Sequence, residues 1–74
     1  MIRYTPFWKT MAKKGFTTYT LREHYKVSHG TVQRLQRNMS ITTDTIDRLC
    51  KILDCGLEDV LEYIPDPVEK DETR

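Results

Sequence analysis

The stretch from Thr18 to Leu35 constrains the fold of this chain more than any other part of the sequence. Two short runs within it have the apolar spacing of a helix, and a short segment around Lys26 separates them. Ser28 directly precedes the second run, and serine is favoured as a helix N-cap because its hydroxyl accepts a hydrogen bond from a free backbone amide. The apolar residues of the stretch are Leu21, Val27, Val32 and Leu35. The pattern predicts two short helices that cross at a tight corner and bury these side chains against a third element.

The other face of the second helix is predicted to point outwards. Its residues are His29, Gly30, Gln33, Arg34 and Arg37. This face is small and rich in hydrogen-bond donors, as a helix must be to enter the major groove of DNA. The stretch therefore has the sequence form of a helix-turn-helix, which makes DNA binding the leading hypothesis.

From Phe7 to Tyr63 the chain resembles the small Cro-like and phage-repressor-like domains of the XRE family of bacterial and phage transcription regulators. The resemblance lies in the joint spacing of Leu21, Val27, Ser28, Val32, Leu35, Ile46, Leu49, Leu53 and Leu57. It implies an all-α fold, a compact five-helix bundle with a helix-turn-helix like the lambda-repressor DNA-binding domain. The chain departs from the family pattern at Arg22, where alanine is usual, and at Lys26, where glycine is usual. A left-handed backbone at Lys26 costs about 1 kcal/mol relative to glycine.

Capping and breaking residues delimit the five predicted helices. The predicted N-caps of the first four helices are Thr5, Thr18, Ser28 and Thr42. The predicted ends of these helices are Gly15, Tyr25, Arg37 and the break at residues 54–56. A fifth helix is predicted over residues 57–63, with Leu57, Val60 and Leu61 buried. No strand pattern is evident.

The length and composition indicate a single soluble domain. The chain has 74 residues, of which 38% are hydrophobic and 31% charged. We expect the domain to cover residues 1–66 and the charged residues 67–74 to form a disordered tail. No apolar run is long enough to cross a bilayer and no signal peptide is evident, so a cytoplasmic location is expected.

Charge is distributed unevenly along the sequence. From Met1 to Asn38, eight basic residues stand against one acidic residue, a net charge of +7. From Met39 to Arg74, four basic residues stand against ten acidic residues, a net charge of −6. If the first three helices form one side of the domain, that side attracts phosphate while the opposite side stays acidic.

Predicted DNA contacts divide into those that read bases and those that hold the backbone. The predicted base contacts are His29, Gly30, Gln33 and Arg34. Arg34 can donate two hydrogen bonds to guanine, Gln33 suits adenine, and Gly30 allows a close approach. The predicted phosphate contacts are Thr18, Tyr19, Ser28, Thr31, Arg37, Asn38 and Thr42. Thr18 and Ser28 would also be explained as helix caps alone.

No constellation of catalytic groups is present, so an enzyme is not expected. Cys50 and Cys55 lack a second cysteine pair or a histidine at ligand spacing, and we expect two reduced thiols packed as small apolar groups. His24 and His29 likewise lack further ligands. We therefore predict no metal, cofactor or small-molecule ligand.

Two functions remain open at this stage. The first is a transcriptional regulator that binds a DNA operator as a homodimer, with the region of Tyr63 and Ile64 as a possible dimer surface. That region could instead simply close the core. The second is a protein-interaction module on the same fold, such as an antitoxin or anti-repressor, whose working surface would be the acidic half and residues 63–67. The charge of the first half favours DNA.

Overall fold

The computed structural model describes residues 1–65, and the predicted tail lies outside the described residues. Four α-helices form most of it: α1 (Thr5–Lys14), α2 (Thr18–His24), α3 (His29–Gln36) and α4 (Thr43–Leu53). One turn of 3-10 helix follows at Leu57–Asp59. Two short strands, β1 (Ile2–Arg3) and β2 (Glu62–Tyr63), pair in antiparallel register, Ile2 opposite Tyr63. The described chain is thus mostly helical.

One apolar core joins the four helices to the end of the described chain. Its buried residues are Tyr4, Phe7, Met11, Leu21, Val27, Val32, Leu35, Leu49, Leu53 and Val60. The four apolar residues predicted to meet at the crossing of two helices are all among them. Full burial of such a side chain contributes about 1.5 to 3 kcal/mol, so this core is the main source of stability.

The two cysteines pack against this core as expected. Cys50 and Cys55 are half-buried free thiols. Burial raises the pKa of Cys55 above its ordinary value, and the neighbouring Cys50 adds to the increase. The Cys55 thiol therefore stays neutral at pH 7, in keeping with its packing as a small apolar group.

Three of the helices end in the same backbone geometry. The residues after α1, α3 and α4 that adopt a left-handed conformation are Gly15 (φ 75°), Asn38 (φ 56°) and Asp54 (φ 51°). In each case the next amide donates to the carbonyl five residues back: Phe16 to Met11 at 2.8 Å, Met39 to Arg34 at 2.8 Å, and Cys55 to Cys50 at 3.0 Å. This is the Schellman arrangement, which satisfies carbonyls that the helix leaves free.

Hydroxyl caps start three helices, two of them as predicted. The amide of Thr31 donates to Ser28 Oγ at 3.1 Å, and the amide of Thr45 donates to Thr42 Oγ1 at 3.1 Å. The third cap is Thr17, so the prediction of Thr18 is wrong. Thr20 lies three residues after Thr17 and completes a reciprocal capping box with it. The residue three after Thr18 is a leucine, which has no side-chain hydrogen bond to give.

The first helix also begins one residue earlier than predicted. Thr5 is already helical, and Tyr4 occupies the N-cap position without a side-chain cap. The physical reason is that the Tyr4 amide has another partner, because it donates to Asn38 Oδ1 at 2.9 Å. Pro6 remains in the first turn, where its missing N–H costs nothing.

The predicted fifth helix is wrong. Only Leu57–Asp59 forms a helical turn, and the chain then extends into β2. Leu57, predicted to be buried, is 54% exposed, whereas Val60 is fully buried as predicted. A helix this short has little stability of its own, and pairing with β1 offers the backbone an alternative. The amide of Ile64 donates to the Met1 carbonyl at 2.8 Å, which draws the chain across the start of α1.

Tyr4 and Asn38 tie the start of α1 to the loop after α3. The Tyr4 hydroxyl donates to the Met39 carbonyl at 2.8 Å, next to the amide bond to Asn38. Burial raises the pKa of the Tyr4 phenol above its ordinary value, so the hydroxyl stays protonated and continues to donate. The end of α3 is thereby fixed to the core from two directions.

Replacement of Asn38 is expected to separate its two roles. Asn38→Ala should lower the free energy of unfolding by about 2 kcal/mol, because alanine loses the side-chain acceptor and is disfavoured in the left-handed conformation. Asn38→Gly keeps the turn and should lose only about 1 kcal/mol, the bond to Tyr4. Urea unfolding of the three proteins measures both values, and equal losses in the two variants would contradict a conformational role for Asn38.

Candidate nucleic-acid interface

The corner between α2 and α3 is built around a left-handed lysine. Lys26 has φ 58°, as expected at the position where the resembling family carries glycine. The amide of Val27 then donates to the carbonyl of Leu21 at 3.0 Å, six residues back. This end differs from the Schellman ends of the other three helices. The corner nevertheless turns the chain so that α3, with Ser28 as its N-cap, starts immediately after it.

α3 has one buried face and one open face. Val32 and Leu35 are buried in the core. The residues predicted to read bases, together with Arg37, are all exposed: His29, Gly30, Gln33, Arg34 and Arg37. Because the buried face fixes the rotation of the helix about its axis, the open face keeps one orientation relative to the bundle.

Gly30 is required neither by the backbone nor by packing within the domain. Its φ lies in the ordinary range, and a Cβ built on it would come no closer than 4.0 Å to the Ser28 hydroxyl. Glycine in a helix is less stable than alanine by up to about 1 kcal/mol. The fold thus gains nothing from the missing side chain. Nothing within the domain therefore requires a glycine at this position.

Five of the seven predicted phosphate contacts lie at the starts of three helices, α2, α3 and α4. Tyr19, in the first turn of α2, is 63% exposed, whereas Thr18 beside it is half-buried. The hydroxyls of Ser28 and Thr31 lie 2.9 Å apart and already serve the start of α3. Thr42 has the same relation to Thr45 at the start of α4. Capping and phosphate binding would therefore share the same hydroxyl groups at these positions.

A cleft between α3 and the start of α4 brings three of the predicted contact residues together. Its volume is about 370 Å³, and it is lined by Thr31, Arg34, Ser40, Ile41, Thr42 and Thr45. One guanidinium and several hydroxyls thus surround an open space next to the exposed face of α3. Such groups bind phosphate oxygens well.

Arg37 and Asn38 lie at the opposite end of α3 from its N-cap. Arg37 is exposed and closes the helix as its C-cap. The Oδ1 atom of Asn38 already accepts from the Tyr4 amide, so only its NH₂ group remains for an external partner. The structure therefore gives Asn38 a folding role that the sequence did not indicate.

Sequence reasoning missed two residues that shape this surface. Thr17 is the true cap of α2, and the signal for it was Thr20 three residues later. Arg48 of α4 donates from its guanidinium to the carbonyl of Tyr25, at the end of α2. No pattern in the sequence links residues from these two helices, so only the fold could reveal this second contact.

Other kinds of site find no support in the described part of the chain. In residues 1–65, no three His, Cys, Asp or Glu side chains are grouped so as to hold a metal ion. None of the helices there has both the length and the apolarity needed to span a membrane.

Two short helices at a tight corner, with an open polar face on the second, define this chain as a helix-turn-helix protein. The sequence profile of the Cro/C1-type HTH DNA-binding domain matches residues 7–66, and the chain belongs to this family. The resemblance identified from the sequence is thereby confirmed. The family is one of DNA-binding domains.

A solved structure supports the same assignment. The chain is similar to the one in the crystal structure of the transcriptional regulator VanUg. The two share 26% sequence identity and superpose with a TM-score of 0.79, over 88% of this chain and 87% of that one. No curated protein is similar enough to count as a match. Family and structural likeness together support a DNA-binding regulator.

Replacement of Gly30 tests whether a partner approaches the backbone there. Gly30→Ala is expected to raise the free energy of unfolding by about 0.5 kcal/mol, because alanine restricts the unfolded chain. Affinity for duplex DNA should fall, because the added methyl group occupies the space of close approach. Gln36→Ala, exposed at the far end of the same helix, is the matched control and should bind as the wild type does. Unchanged DNA affinity in Gly30→Ala would remove Gly30 from the interface.

Proposed function

We propose that this protein is a transcriptional regulator of bacterial or phage type that reads a short operator with the helix predicted over residues 28–37. α3 enters the major groove, and its outer face contacts the base edges. The observation that carries this proposal is the open face of α3, which combines one glycine with exposed polar and cationic side chains while the opposite face is buried. A major groove admits a helix with such a face.

Base reading is assigned to the start and middle of α3. Arg34 can donate two parallel hydrogen bonds to O6 and N7 of guanine, a pairing that discriminates by about 1 to 3 kcal/mol. Gln33 offers the donor and acceptor that suit adenine. His29 lies at the first position of the helix. Gly30 lets the helix come close to a base or a thymine methyl group.

Backbone binding is assigned to two clamps on either side of this helix. The first is formed by the starts of α2 and α3 and contains Thr18, Tyr19, Ser28 and Thr31. The second contains Arg37, Asn38 and Thr42, beside the cleft that Arg34 also lines. Helix N-termini favour anions because their free amides and dipoles point at the ligand.

The charge of the chain supports DNA over a protein-interaction module as the main partner. An antitoxin or anti-repressor surface has no need for a net charge of +7 over residues 1–38. DNA attracts such a charge at long range.

A homodimer on a two-fold operator completes the proposal. One such domain buries limited DNA surface, and a second copy roughly doubles it. The dimer surface is assigned to the region of Tyr63 and Ile64. Tyr63 is 65% exposed on β2 and lies opposite Ile2, which is also exposed. An aromatic and an aliphatic side chain on one exposed strand pair suit an isologous contact.

A salt series on random duplex DNA tests the proposed function. Affinity should fall about tenfold or more between about 50 and about 200 mM salt, because each phosphate contact releases bound counterions. Fluorescence anisotropy with a labelled duplex measures this fall. An affinity that does not respond to salt would rule out a DNA-binding role. Selection of bound duplexes from a random pool then gives the operator, and two-fold symmetry in it would support the homodimer.

Substitutions at two cationic positions should separate base reading from general attraction. Arg34→Ala is expected to relax the preference at one operator base, a loss of about 1 to 3 kcal/mol on the operator and much less on random DNA. Lys13→Ala, at the end of α1, should lower the affinity for operator and for random DNA slightly and equally. Equal losses on operator and random DNA for Arg34→Ala would show that the base contact is misassigned.

A further inference from the structure

The end of α2 is held in a way that sets it apart from the other helices. α1, α3 and α4 satisfy their last carbonyls with a left-handed residue and an amide five residues on. At the α2 end the Val27 amide reaches back six residues to Leu21, and the carbonyl of the C-cap residue Tyr25 accepts from the guanidinium of Arg48. A side chain from α4 thus adds a hydrogen bond at a helix end that lacks the Schellman bond.

This contact has the chemistry of a strong and directional cap. A cation near a helix C-terminus interacts favourably with the helix dipole, and a charge-assisted hydrogen bond is about twice as strong as a neutral one. The guanidinium is planar, with donors in fixed directions, so it constrains the direction of the carbonyl as well as its distance.

Tyr25 is held from its other side as well. Its ring stacks on Phe16, with ring centroids 5.8 Å apart and planes 15° from parallel. Phe16 directly follows the capped end of α1. The residue that opens the corner is therefore fixed between α1, through its ring, and α4, through its carbonyl.

We propose that Arg48 is a positioning residue for DNA reading, which sets the orientation of the α2–α3 pair on the bundle without contacting DNA. The inference rests on the proposed function. Base reading requires α3 to contact the base edges while the start of α2 contacts the DNA backbone. A small rotation of the α2–α3 pair would therefore prevent both contacts from forming at once. Attraction by phosphate charge tolerates such rotations.

The test compares Arg48→Met with Lys51→Met. Both variants remove one positive charge from an exposed position on α4, but Lys51 pairs with Asp47 of the same helix at 3.0 Å, whereas Arg48 binds the carbonyl of Tyr25. Affinities are measured at several salt concentrations for the operator selected with the wild type and for random duplex. Arg48→Met should lower the ratio of operator to random affinity by about tenfold, comparable to the loss of one base contact. The salt dependence on random DNA should stay unchanged, and Lys51→Met should keep the full ratio.

A conservative variant and a measurement on the free protein complete the design. Arg48→Lys keeps the charge and one donor, so its ratio should lie between those of the wild type and Arg48→Met. Hydrogen exchange in the free proteins should be faster at Lys26 and Val27 in Arg48→Met, with α4 amides unchanged. Faster exchange over the whole domain would instead mean general destabilisation and would overturn the proposal.

The remaining outcomes are distinguishable from failure of the proposed function. An Arg48→Met protein that keeps the wild-type affinity ratio overturns the positioning role alone. A salt slope reduced by about one on random DNA would mean that Arg48 itself contacts a phosphate, which also overturns it. A wild-type affinity for DNA that does not change with salt concentration overturns the proposed function. The proposed role of Arg48 in DNA reading is then overturned as well.

Discussion

Burial of one face of α3 is the constraint on which the rest of the structure depends. α3 spans only His29–Gln36, and a helix of that length is not stable alone in water. Val32 and Leu35 anchor it in a core formed with Leu21 of α2 and Leu49 of α4. The same anchoring exposes the opposite face, so folding of α3 and presentation of its polar face have a single cause.

The core fixes which face is shown, but the helix ends fix where it points. Left-handed residues close three helices through backbone bonds alone. Asn38 adds a side-chain bond to Tyr4, so the far end of α3 is tied to the start of α1. The near end depends on the corner at Lys26, which lacks the Schellman bond and is supported by Arg48 from outside the pair. The two ends of α3 are thus held by different contacts.

Local signals predicted the helix-turn-helix well because its determinants are local. Ser28 and Thr42 each sit directly before an apolar-periodic run, and both cap a helix as predicted. The prediction of a fifth helix was wrong because the competing structure is non-local. The amide of Ile64 hydrogen-bonds to the carbonyl of Met1 at the other end of the sequence. The cap at Thr17 was missed for a smaller reason, since two adjacent threonines compete for one position. The candidate base contacts were chosen by helix face, and all four are exposed because the opposite face of α3 is buried.

Attraction to DNA and discrimination among sequences make different demands on this architecture. In the proposed function, attraction depends on the total charge of the first half of the chain, so single lysines contribute small and interchangeable amounts. Discrimination would depend on a few side chains of α3 held in precise positions, and hence on every contact that orients that helix. Arg34 and Arg48 illustrate the division in the proposed function, because Arg34 lies on the open face of α3 and Arg48 lies on α4, the next helix along the chain. If both roles are as proposed, specificity is easier to lose than affinity, because it also depends on residues that do not contact a base.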